Sequence, residues 1–228
     1  MSVSPISAKA MAQLLRLASP MLPVGAYAYS QGMEWAVEEG AITDEESAQA
    51  WIADLLCFNI GTLEAPVWRR LYGAWQERDI EAARHWNERF IAIRETAEFR
   101  AETLQMGGAL KAVLDATREI DTGLLDRIDS PAFPTAFSFA AHGLGVPLRE
   151  GLTGYLWAWG ENQVSAAMKL VPLGQSSGQR ILVKLIALLP EIVENALGMQ
   201  DDRLSNFSPA LAIASSRHET QYTRLFRS

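Results

Sequence analysis

Across 228 residues there is a single cysteine, Cys57, so an internal disulfide is excluded and a reducing compartment fits. The thiol sits in the apolar run Leu55-Leu56-Cys57-Phe58, the context of a small core residue. Histidine is almost as sparse. His85, His142 and His218 lie far apart and no two are spaced i, i+4, so no metal centre or cofactor is expected. Positive charge is in deficit, with 20 Lys and Arg against 27 Asp and Glu, and a net charge of −7 disfavours a nucleic-acid partner. Long apolar runs are missing too. Ile181 to Leu189 contains Lys184 and falls short of the roughly 18 residues a membrane span needs. Near the start, Arg16 interrupts the apolar stretch after Lys9, and Pro20 and Pro23 follow, a pattern unlike a signal peptide. The expected location is cytoplasmic, with no membrane contact.

Alternating β-branched runs are also scarce, while Ala, Leu, Glu, Gln and Arg fill long stretches. The expected fold is all-α: one compact domain over 1–228, of about eight to ten helices. Helix starts are expected at the capping box Thr43-Asp44-Glu45-Glu46, after Asp79, and at Ser208-Pro209. From Arg149 to Leu170, residues Leu152, Tyr155, Leu156, Trp159, Gln163, Ala166, Ala167 and Leu170 recur at steps of three and four on one face. Another helix is expected over Gly178 to Leu189, ended or kinked by Pro190. Breaks are expected at Ser19 to Gly25, Gly40, Gly61 to Pro66, Asp121 to Pro134, Gly143 to Pro147 and Pro172 to Ser177. Gly107-Gly108 interrupts a helical run and points to a close helix crossing or to a contact site where a side chain would obstruct.

Few of these residues suggest catalysis. The turn from Pro172 to Gln179 could hold an anion at a helix N-terminus, but it lacks the Gly-Lys-Ser/Thr ending of a phosphate loop, so no nucleotide hydrolysis is expected. His142 lies in an apolar segment and reads as a core histidine; a helical enzyme with a site near His142 and a distant acid is the competing reading. A metal-ligand role for His218 is weaker, because neighbouring arginines repel a cation.

Features suited to binding are concentrated elsewhere. Between Ser19 and Glu34 two prolines fix the chain, Gly25 frees it, and Tyr27 and Tyr29 precede a helix that Ser30 would cap. Lys169 closes an apolar stretch as an isolated charge. The stretch 217–228 carries Arg217, His218, Glu219, Tyr222, Arg224, Leu225, Phe226 and Arg227. On a helix, Tyr222, Leu225 and Phe226 would share a face, and arginine and aromatics are the residues enriched in interface hot spots. The tail is therefore expected to dock a partner, with a terminal helix docked on its own core as the alternative.

Four blocks carry a resemblance. They are Leu22-Pro23-Val24-Gly25 with Ser30-Gln31-Gly32-Met33-Glu34; Glu95 to Arg100 with Gln105-Met106-Gly107; Ala166-Ala167 through Pro172-Leu173-Gly174-Gln175; and Arg217-His218-Glu219 with Arg224 to Ser228. In this order they resemble the urease accessory protein UreF family, with Met33 where leucine is common. The resemblance implies an all-helical, non-enzymatic nickel-insertion chaperone that forms a homodimer. It would bind UreD and the GTPase UreG in a complex with the urease apoprotein, and couple GTP hydrolysis to nickel delivery. Carried onto this chain, it makes 217–228 the UreD-docking element, anchored by Arg224 with Tyr29 and Tyr222 beside it, and turns Glu34 and Lys169 toward UreG. A GTPase-activating role toward UreG is the remaining alternative.

Overall fold

The computed structural model describes residues 5–228; residues 1–4 of the expected domain lie outside it. Every regular element among the described residues is helical, in the order α1 (Ala8–Leu17), α2 (Met33–Glu38), α3 (Glu45–Leu55), α4 (Ala65–Gln76), α5 (Ile80–Ile93), α6 (Ala97–Thr117), α7 (Phe133–Gly143), α8 (Leu148–Leu170), α9 (Gln175–Gly198) and α10 (Pro209–His218). The all-α expectation therefore holds.

Helix α7 is the centre. Pro134 through Ala141 are all buried, as a helix apolar on every side must be. It packs between α4 and α6 and also touches α8 and α1. Its few polar groups are satisfied internally. Trp75 Nε1 donates to Ser138 Oγ at 3.0 Å, and Asn87 Oδ1 accepts from Ala132 N at 2.9 Å and Thr135 Oγ1 at 2.7 Å. Helix α8 presents its expected face to the core, burying Leu152, Tyr155, Leu156, Gln163, Ala166 and Ala167, while Trp159 and Leu170 are partly buried.

Asp79 caps α5, accepting from Ala82 N at 3.0 Å. The box before α3 lies one residue later than expected: Asp44 accepts from Ser47 N at 2.9 Å, and Ser47 Oγ accepts from Asp44 N at 3.1 Å. Ser208 does stand before α10, but its side chain makes no capping bond.

Two expected breaks are not breaks. Leu56–Glu64 continues α3 as a π-helix directly into α4, which makes nine separate helical rods of the ten segments. Pro66 has no N–H for the carbonyl of Thr62 four residues back, and that carbonyl accepts instead from Ser205 N at 3.1 Å. The wider π turn accommodates the ring. Helix α9 likewise runs through Pro190 to Gly198. Pro190 faces solvent, where water can serve the carbonyl that its ring leaves free.

Gly107 is a contact site where a side chain would obstruct, against the backbone that leads into α7 rather than against a crossing helix. A Cβ there would lie 1.9 Å from the carbonyl oxygen of Pro131, whereas one on Gly108 would meet open space. Gly107→Ala is expected to cost about 1–3 kcal/mol through overpacking. Gly108→Ala is expected to stabilise by about 1 kcal/mol through helix propensity. Circular-dichroism melts of the two variants should move in opposite directions from the parent.

Candidate partner-docking site

Helix α10 ends at His218, and the chain beyond it is not helical. The expectation that Tyr222, Leu225 and Phe226 share a helical face is therefore corrected. From Leu225 to Ser228 the side chains alternate instead: Leu225 out, Phe226 in, Arg227 out, Ser228 in, the periodicity of extended chain. The cause is competition for the backbone donors. Glu34 Oε1 accepts from Leu225 N at 2.6 Å and Oε2 from Phe226 N at 2.9 Å. Arg227 N donates to Ala28 O at 2.8 Å, and Ser228 O accepts from Ser30 N at 2.6 Å, Gln31 N at 2.9 Å and Ser30 Oγ at 2.7 Å. With every donor from 225 to 227 bound to the 28–34 segment, none is left for an i−4 carbonyl.

That segment is shaped to receive the tail. Gly25 and Gly32 have φ of 77°, and Gln31 has φ of 53°, so the backbone folds tightly before α2. Gly32, rather than Ser30, occupies the N-cap position, and a Cβ on it would meet Ala214 Cβ at 3.0 Å. Ser30 Oγ nonetheless accepts from Glu34 N at 3.3 Å.

Helix α6 supplies the other wall. Glu98, Glu102 and Gln105 fall at steps of four and three on one face, and all three hold the tail or its loop. Glu98 Oε2 lies 2.8 Å from His218 Nδ1, and Glu98 Oε1 accepts from Arg224 Nη1 at 2.8 Å. Glu102 accepts from Ser228 Oγ at 2.8 Å and from Gln31 Nε2 at 2.7 Å. Gln105 Oε1 accepts from Tyr29 OH at 2.7 Å and from Arg227 Nη1 at 3.5 Å. Glu219 Oε1 accepts from Ala97 N at 3.0 Å, in the first turn of α6. Burial pushes the Glu102 carboxyl up to about 7, against its hydrogen bonds from Gln31 and Ser228 and the nearby Arg94, with Glu64 adding to the rise.

Several residues expected at a partner surface are instead buried. Glu34 is buried and grips the tail instead of facing outward as an isolated charge. His218 is wholly buried, its two ring nitrogens directed at Glu34 (3.2 Å) and Glu98 (2.8 Å), so each nitrogen meets a separate carboxylate. Tyr29 and Phe226 are buried as well. Arg217, Glu219, Tyr222, Arg224, Leu225, Arg227 and Lys169 are exposed. Tyr222 has no shielding at all, at 103% relative exposure, and Leu225 is 66% exposed. Lys169 Nζ stands 6.0 Å from the ring centre of Tyr27 and 5.5 Å from that of Phe226, joining loop, tail and α8 in one surface. Glu98 and Glu102 were missed; their helical spacing along α6 was the only local signal.

On the other side of Gln31 and Glu102 lies a cavity of about 140 Å³ under the 17–27 loop, with the buried ion pair Glu64–Arg94 (2.7 Å) and Tyr155, which bonds Glu64, at its floor. Trp159 Nε1 donates to Gln31 Oε1 at 2.8 Å across its rim. His142 stands apart. It is half-buried edge-on to Tyr72, with burial lowering its basicity, and none of the hydrogen bonds found among the described residues reaches its ring with an acid. No group of three or more candidate metal ligands occurs among the described residues, and no described helix is long and apolar enough to cross a membrane.

The sequence model of the UreF family matches residues 42–186. The chain belongs to the UreF family. A urease accessory protein UreF from Azoarcus sp. (strain BH72) is 53% identical over 222 residues, covering 95% of this chain and 94% of that protein. Those from Dechloromonas aromatica (51% identical; 96% and 97% covered) and Methylobacillus flagellatus (48%; 96% and 98%) are similarly close. These UreF relatives span nearly the whole chain, whereas the family match stops short of both the 28–34 segment and the tail.

Glu34→Ala should free the tail. Hydrogen bonds to a charged acceptor contribute about 1.5–3 kcal/mol each, and a loss of about 1.4 kcal/mol already raises the open population tenfold. Limited trypsinolysis should cut after Arg224 at least tenfold faster in the variant than in the parent.

Proposed function

We propose that this chain is a non-catalytic nickel-insertion chaperone of urease maturation, acting as one helical domain in the cytoplasm. It joins UreD and the GTPase UreG to the urease apoprotein and couples GTP hydrolysis to nickel delivery. Membership of the UreF family supports the urease role, and the resemblance supplies the named partners and a homodimer.

One observation carries the docking assignment: the tail is pinned from beneath while Tyr222 and Leu225 stay exposed. A presented, pre-ordered aromatic and aliphatic pair loses little conformational entropy on association, which favours binding. Exposed Arg217, Arg224 and Arg227 and Glu219 form the polar surround, while Tyr29, Glu34, His218 and Phe226 act by positioning them. Arg224, paired with Glu98, keeps part of its guanidinium available for a bidentate contact. Lys169, beside Tyr27, is the contact assigned to UreG.

Because Tyr222 and Leu225 are exposed, their replacement should spare the fold. Tyr222→Ala with Leu225→Asp is expected to weaken co-purification with UreD at least tenfold, since hot-spot truncations cost about 2 kcal/mol or more. Undiminished recovery of UreD would remove the tail from the interface. Lys169→Glu is expected to leave UreD recovery intact and to alter the GTP turnover of UreG in the assembled complex; unaltered turnover would remove Lys169.

A further inference from the structure

One buried side chain of the clasp has more accepting neighbours than its neutral form can serve. His218 closes α10 with none of its side chain exposed. Its Nε2 faces Glu34 Oε2 of α2 at 3.2 Å, and its Nδ1 faces Glu98 Oε2 of α6 at 2.8 Å. A neutral imidazole has one N–H and one bare nitrogen, and an ionised carboxylate only accepts. Two accepting neighbours therefore call for two ring protons. We infer that His218 is held as an imidazolium, a buried cationic bridge that fastens the end of α10 to both α2 and α6.

The surroundings of the two carboxylates fix where the extra proton resides. Glu34 accepts from Leu225 N and Phe226 N, and Glu98 accepts from Arg224 Nη1 at 2.8 Å. Apart from the ring, every partner of these two carboxylates is a donor. Imidazole is the stronger base, about 6.5 against about 4.3 for a free glutamate, so the proton belongs to the ring. Charge balance agrees. Glu34 and Glu98 are offset by Arg224 and the imidazolium, whereas a neutral ring would leave a buried negative charge without a counter-ion. Burial opposes the cation, and two carboxylates at hydrogen-bond distance outweigh it.

The other charged and titratable groups nearby are committed elsewhere. On α2, Glu38 accepts from Gln221 Nε2. On α6, Glu102 accepts from Ser228 and Gln31, and Arg100 reaches the carbonyl of Arg94. Glu219 accepts from Ala97 N, Arg227 reaches Gln105, and Arg217 is exposed. None of these bonds involves the ring.

The second ring proton is thereby tied to the seating of α10. A detached ring would meet water instead of two carboxylates and would hold that proton less tightly. Linkage then favours the seated helix end while the proton is present. Seating weakens as pH rises past the point at which the seated ring releases it, by at most about tenfold per pH unit. No partner protein is needed for this charge state.

Nuclear magnetic resonance of the full-length chain, with isotope-labelled histidine nitrogens, gives the test. At neutral pH the His218 ring, assigned by its loss in His218→Gln, should carry protons on both nitrogens. A ring with one proton and one bare nitrogen would overturn the inference. Glu98→Gln keeps the shape of one neighbour and removes its charge, so the pH at which the second proton leaves should fall by about 1–3 units. An unmoved midpoint would sink the bridge, because a histidine that only fills space has no reason to sense that charge. In the parent, hydrogen-exchange protection of the last turn of α10, relative to α7 and corrected for intrinsic pH effects, should weaken with the same midpoint as the ring. Protection that stays level while the ring loses its proton would refute the link to seating. Both measurements on the parent stand even where Glu98→Gln folds poorly.

Discussion

A buried carboxylate needs donors, and an extended chain end has donors to give. The interaction between Glu34 and the Leu225 and Phe226 amides meets both needs at once, with His218 as a further partner. Ionised groups are costly to bury unless hydrogen-bonded, so this carboxylate holds the 28–34 turn, α10 and the tail to one geometry. Removing Glu34 would leave the Leu225 and Phe226 amides unpaired and take one of the two carboxylates from His218. The outward display of Tyr222 and Leu225 is a by-product of that inward satisfaction.

The body of the protein answers a different constraint. Helix α7 has no polar face, so other helices must surround it; α4, α6, α8 and α1 do so. Close approach is achieved where side chains are absent, as at Gly107 over Pro131. Backbone groups that proline leaves unpaired are met by distant partners, as Ser205 meets Thr62, or fall on an exposed face, as beside Pro190. The π segment thus comes from local chemistry and is completed by tertiary contact.

These two constraints explain how far the chain could be read without coordinates. The face of α8, the Asp79 cap and the obstructed contact at Gly107 follow from local periodicity, local capping chemistry and a mid-helix glycine, and all were legible. The passage of a helix through Pro66 was not, because the carbonyl that its ring deprives is satisfied by a residue far along the chain. The clasp was least legible. Glu34 meets its acceptor role through residues 191 and 192 positions away, and nothing near it in sequence announces burial. The tail misled for a related reason: Tyr222, Leu225 and Phe226 satisfy a helical spacing, but so short a stretch has no nucleus of its own and takes the conformation its partners dictate. The family resemblance marked the 22–34 and 217–228 blocks without indicating that they touch each other.

Helix α6 belongs to both halves of this description. One of its faces seats Gly107 against the Pro131 backbone, and another carries Glu98, Glu102 and Gln105 to the tail. A rigid rod anchored on one side transmits any displacement to the other. Crowding at the buried glycine would tilt the three side chains that meet the tail, so a lesion hidden in the interior would register at the periphery as a fault of assembly, although it touches no surface residue.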